Sequence, residues 1–116
     1  MGDEAAEWSG QNHARRRFLR LPVSLPVVAR VPQLGVTVLR GMVRTVSAGG
    51  LTTEFPISLV PDSVLALMLE TREGPVEVEG RVVWARATPR AVRHGIAFFE
   101  PKPQTFATDL FVSQSR

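Results

Sequence analysis

The chain has 116 residues, 44% of them hydrophobic, and a formal net charge of +3, enough for one core and too little for two. It contains no cysteine, which excludes a disulfide framework and a thiolate metal site and fits a reducing compartment. No apolar run reaches membrane-spanning length, and the acidic start "MGDEAAEWSG" lacks the basic flank and apolar stretch of a secretory signal, so a cytoplasmic protein without membrane insertion is expected.

In chain order, residues 1–14 show no apolar period and read as a flexible tail, with Trp8 its one anchor. "RRRFLRLP" (15–22) follows, the densest part of a stretch from Trp8 to Thr53 that holds seven arginines and no acid. Such a local field attracts phosphates, anionic lipid or an acidic partner. Strand signals then come regularly. "VSLPVVARV" (23–31) is broken by Pro26, which marks an edge or bulge. "GVTVLRGMVRTVS" (35–47), "GLTTEF" (50–55) and "SVLALMLE" (63–70) are separated by Gly and Pro breakers. In "GPVEVEGRVVWAR" (74–86) Val76, Val78, Val82 and Trp84 alternate with Glu77, Glu79 and Arg81, which predicts Trp84 in the core. "HGIAFFE" (94–100) is the sixth strand, with Ile96 and Phe98 on one face. Pro103, and Phe106 four residues from Leu110, predict a short helix within "KPQTFATDLFVSQ". Six short strands with no helical period between them imply an all-β fold, a small antiparallel barrel that closes to remove its edges. The expected division is a tail at 1–14, a barrel domain with its arginine loop at 15–100, and a C-terminal helix and tail at 101–116.

Arg16 and Arg20, four apart, point the same way in an extended or a helical segment and can converge on one ligand. A guanidinium donates two parallel hydrogen bonds to a phosphate or to the Hoogsteen edge of guanine. Phe18 and Leu19 are the apolar residues that can fasten the loop. In "TVSAGGLTTE" (45–54) the hydroxyls of Thr45 and Ser47 share a strand face, and Gly49 and Gly50 are expected to turn at positive φ and to admit a flat ring.

Taken in order, Arg16 to Arg20, Thr45 to Gly50, "GRVVW" (80–84) and "GIAFF" (95–99) resemble the motifs of the PilZ domain, the small barrel with which bacteria bind cyclic di-GMP. The resemblance spans roughly residues 15–100. It implies that Arg16 and Arg20 bind the phosphates and guanine edges as their loop closes, that Ser47 and Gly50, with Thr45 and Gly49 beside them, meet the ligand from the barrel, and that Arg15 goes with two stacked ligand molecules. The loop is expected to be mobile until the ligand neutralises it, and the ordered loop then signals to a protein partner, for example in motility. Thr45 stands where the family has Asp or Asn. A hydroxyl pairs less completely with the guanine edge, at a cost of roughly 1–3 kcal/mol, about ten- to a hundredfold in affinity. That departure motivates the alternative of a degenerate adaptor with weak or no nucleotide binding. The chain has no tyrosine, and its phenylalanines mostly fall in strand or helix positions that suit a core, so DNA or RNA is not the expected partner. His13 and His94 read as surface residues, and no triad, metal cluster or phosphate loop assembles, so neither catalysis nor a cofactor is expected.

Overall fold

The computed structural model describes residues 19–35 and 38–114. Six strands, β1 (Leu21–Arg30), β2 (Val38–Val46), β3 (Gly50–Phe55), β4 (Val64–Thr71), β5 (Gly74–Ala87) and β6 (Val92–Phe98), close in the order β1-β2-β3-β6-β5-β4. Every pairing is antiparallel, and closure leaves no long edge to pair with another chain. A 3-10 turn at Pro32–Leu34 joins β1 to β2, and helix α1 (Thr105–Gln114) ends the described chain.

Alternation along each strand builds the core. Val23, Leu25, Val27 and Ala29 of β1 point inward against Val43 and Val46, Leu65, Leu67 and Leu69, all under 6% exposed. Each of these valine and leucine side chains stabilises the fold by ~1.5–3 kcal/mol through loss of apolar surface from water. Pro26 is tolerated because β4 pairs with β1 only over Val27–Arg30, so its missing amide falls where β1 has fewer ladder bonds to lose. Helix α1 buries Ala107, Leu110 and Ser113, one every three residues, and lies mainly along β1. Phe106 meets Phe98 edge to face, ring centres 5.7 Å apart.

Two expectations about burial are corrected. Trp84 is on the outside, because the β5–β6 register shifts between Val82 and Trp84. The extra residue of a bulge reverses the face of everything after it. His94 is not a surface residue but fully buried beside Phe55, ring centres 5.5 Å apart. Its Nε2 accepts a hydrogen bond from the Leu59 amide at 3.0 Å. Both ends of β3 fall as expected, and the other strand ends differ by at most three residues, as at β6, which begins at Val92 rather than His94.

Candidate functional site

Arg20 is the part of the arginine motif within the described residues; Arg15 and Arg16 lie outside them. Leu21 pairs with Val46 and Pro22 with Thr45, so in antiparallel register Arg20, one step earlier, is level with Ser47. Arg20 therefore leaves β1 at the end nearest the serine and glycine bend.

That bend is organised by Ser47. Its amide donates to the Gly50 carbonyl at 2.8 Å. Its Oγ accepts from the amides of Gly49 and Gly50, each at 3.2 Å, and donates to the Gly50 carbonyl at 3.2 Å. The hydroxyl thus has its full complement of partners, and what Ser47 offers a ligand in this conformation is the shape of the bend. The expected positive φ is absent at Gly49 and Gly50; among the described glycines it occurs at Gly35 and Gly74. Gly50 is required for another reason: a Cβ there would collide with the carbonyl of Ile96 on β6.

Thr45 follows a register shift between Val43 and Thr45, which sets it opposite Thr52 with the two Oγ1 atoms 2.8 Å apart. Thr52 pairs in turn with Gly95 on β6, and Gly95 with Trp84 on β5. Thr45, Thr52, Gly95 and Trp84 thus form one row across four adjacent strands, about 14 Å long at the usual strand spacing. The Trp84 indole lies over Gly95, where any Cβ would strike its Nε1, and Arg86 stacks on it with its guanidinium carbon 5.6 Å from the ring centre. The row runs round half of the six-stranded barrel wall, with hydroxyls at one end and an aromatic ring at the other. Sequence reasoning missed Thr52, Gly95 and the outward Trp84. The signals were the "GIAFF" glycine and a tryptophan after two consecutive valines, where strict alternation is already broken.

An ion triad borders the row. Glu54 accepts from Arg93 Nη2 at 2.7 Å and from Arg44 Nε at 3.0 Å. The Arg93 hydrogen bond, then the Arg44 bond and both positive charges, hold its carboxyl below the usual carboxylate range against partial burial. Two arginines share one acid here, and Arg86, opposite Arg93 across β5 and β6, adds to the positive field. Beneath the row, burial holds the His94 imidazole below its ordinary pKa, against a smaller opposing effect of the Val92 backbone. Among the described residues no three His, Asp or Glu side chains group as metal ligands, and no helix is long and apolar enough to cross a membrane.

The family model for the PilZ domain matches residues 14–110. No curated protein matches the chain. Among solved structures, the chain is similar to the PilZ domain with c-di-GMP of YcgR from Escherichia coli, with a TM-score of 0.69 and 15% identity over 88% of this chain and 92% of that one. It is also similar to the Bacillus subtilis inhibitor of motility MotI/DgrA (TM-score 0.64, 19% identity, 84% of this chain and 48% of that one). A third similar structure is that of YcgR in complex with c-di-GMP from Escherichia coli (TM-score 0.66, 16% identity, 83% and 42%). The chain spans less than half the length of the last two.

Proposed function

The chain belongs to the PilZ domain family, and on that footing we propose that it is a receptor for cyclic di-GMP that passes the signal to a protein partner. Arg16 and Arg20, with Arg15 next to them, engage the two phosphates and the guanine edges. The arginine segment closes over the ligand and is ordered there. Thr45, Ser47, Gly49 and Gly50 form the barrel side of the site. Trp84 provides a ring on which a guanine can stack in place of Arg86, an interaction of ~1–3 kcal/mol per base. The closed segment changes the shape and charge of one barrel face, and a cytoplasmic partner, in motility or surface behaviour, reads that change.

The observation that carries this reading is the register of β1 on β2, which brings Arg20 level with the Ser47–Gly50 bend at one end of the Thr45–Trp84 row. Isothermal titration tests it. Cyclic di-GMP should bind with micromolar affinity, and Arg16→Ala or Arg20→Ala should each weaken it at least tenfold, since each removes charged hydrogen bonds of ~1.5–3 kcal/mol. No heat at high protein concentration would favour the second reading, an adaptor that docks to its partner without nucleotide. The Thr45 hydroxyl, already paired with Thr52, is the feature that supports it.

A further inference from the structure

The Thr45–Trp84 row is centred between β3 and β6, and the strands straight across the closed barrel from it are β1 and β4. On the outer side of that opposite wall, strand pairing sets Arg40, Val28, Met68 and Glu77 next to one another on β2, β1, β4 and β5. Three strand spacings separate the two ends, ~14 Å. The next row, two residues along each strand, is Val38, Arg30, Ala66 and Glu79. Arg30, Arg40, Glu77 and Glu79 are exposed, and Met68 between them is 39% exposed. Among the described residues none of these four charges takes part in an ion pair.

The first row reads positive, apolar, apolar, negative. Turned by 180° about an axis parallel to the strands and midway between β1 and β4, it reads negative, apolar, apolar, positive. A second copy brought face to face about that axis sets its Glu77 against Arg40 and its Met68 against Val28. The same contacts recur with the copies exchanged, as two-fold symmetry demands. In the second row Arg30 comes over the small Ala66 of the copy, one strand spacing, ~5 Å, from its Glu79. Barrel walls are convex, so two of them touch along the middle and diverge at the sides. The apolar pair stands in the middle, and the long arginine and glutamate side chains stand where the gap widens. An axis across the strands would lay arginine on arginine and glutamate on glutamate, and that repulsion disfavours it.

We propose that the β1–β4 wall is the docking surface for a second copy of the chain, in a two-fold dimer held by Val28 on Met68 and by Arg40 on Glu77. The docking needs no nucleotide and does not rest on the cyclic di-GMP reading. The Thr45–Trp84 rows of the two copies then face away from each other on the outer sides of the dimer. Two rows of four residues are few against the ~20–30 residues a side of a stable interface, so association is weak and reversible. The charges fix its orientation more than its strength.

Sedimentation equilibrium of the full chain from ~10 μM to ~1 mM, the range of a weak dissociation constant, should show monomer and dimer in reversible exchange. Arg40→Glu and Glu77→Arg, both at exposed positions, should each weaken the dimer at least tenfold, because each sets like charges against each other. The Arg40→Glu chain carries glutamate at both ends of the first row, and the Glu77→Arg chain carries arginine at both. An equimolar mixture of the two should therefore dimerise where neither does alone. A wild-type chain that stays monomeric to ~1 mM overturns the proposal. So does a dimer indifferent to both substitutions, or a mixture that stays monomeric while both variants keep the wild-type melting temperature. Should a charge reversal lower that temperature, Met68→Asp reads the same interface at its apolar centre: it should weaken the dimer at least tenfold, and a dimer of undiminished strength refutes the docking.

Discussion

Thr45 has one hydroxyl where an amide or carboxylate would present a longer arm and a better acceptor, and that hydroxyl is shared with Thr52 at 2.8 Å. Thr45→Asn should therefore raise cyclic di-GMP affinity about ten- to a hundredfold, the ~1–3 kcal/mol of one well-paired polar group, and calorimetry reads this directly. On the inner side of the wall, His94 is neutral because its Nε2 accepts from Leu59 and because no water reaches it. Burial places its folded pKa below the 6.5 of an unperturbed imidazole. Above pH 6.5 both folded and unfolded states carry it neutral, and its contribution to stability is fully present. As pH falls below 6.5 the unfolded chain takes up the proton first, so stability drops until the folded pKa is passed. Thermal melts from pH 7.5 to 5 should show this loss, and His94→Phe should flatten it. Glu54, also lowered in the fold, acts the same way in a separate window below 4.5.

At the scale of elements, three register shifts, at Pro22/Leu25, Val43/Thr45 and Val82/Trp84, build the site's surroundings. The first opens the start of β1 to Gln114, the second turns Thr45 toward Thr52, and the third turns Trp84 outward over Gly95. A bulge adds one residue and reverses the sides that follow, so a strand that is core over one half can serve a ligand with the other. Gln114 closes the first of these gaps with two hydrogen bonds, which ties the root of the arginine segment to α1. Gln114→Ala should cost ~1–2 kcal/mol, one typical net bond or two. It should also speed hydrogen exchange at the Ser24 amide far more than at Val27, which lies in the paired half of β1.

Across the whole molecule, charge is partitioned. Arg44 and Arg93 share the acid Glu54, with Arg86 opposite Arg93 in the β5–β6 pairing, whereas Glu77, Glu79 and Glu100 gather around a separate hollow with Phe99 and Lys102. A dianionic ligand drawn to the arginines loses attraction as salt shortens the screening length from ~14 Å at 50 mM to ~4 Å at 500 mM. Cyclic di-GMP affinity should fall several-fold over that range. The melting temperature should move little, since the core is apolar and the exposed Arg81–Asp62 pair contributes little to stability. A parallel loss of melting temperature would mean that the salt acts on the fold and not on the site.

The number and kind of elements could be read in the sequence because alternation with period two, breakers at Gly and Pro, and the Phe106–Leu110 spacing are local properties of the chain, and the resemblance of four short motifs pointed to the family. The arginine and serine-glycine motifs were legible as well, as residues apart in the sequence that carry matching chemistry. Where Arg20 falls was not: its level with Ser47 depends on which residue of β1 pairs with which residue of β2. The outward turn of Trp84, the pairing of Thr45 with Thr52 and the burial of His94 depend on bulges and on partners 7 to 35 residues away. Periodicity reports which side a residue takes relative to its chain neighbours; only closure of the barrel decides which side is inside and which residues lie across it.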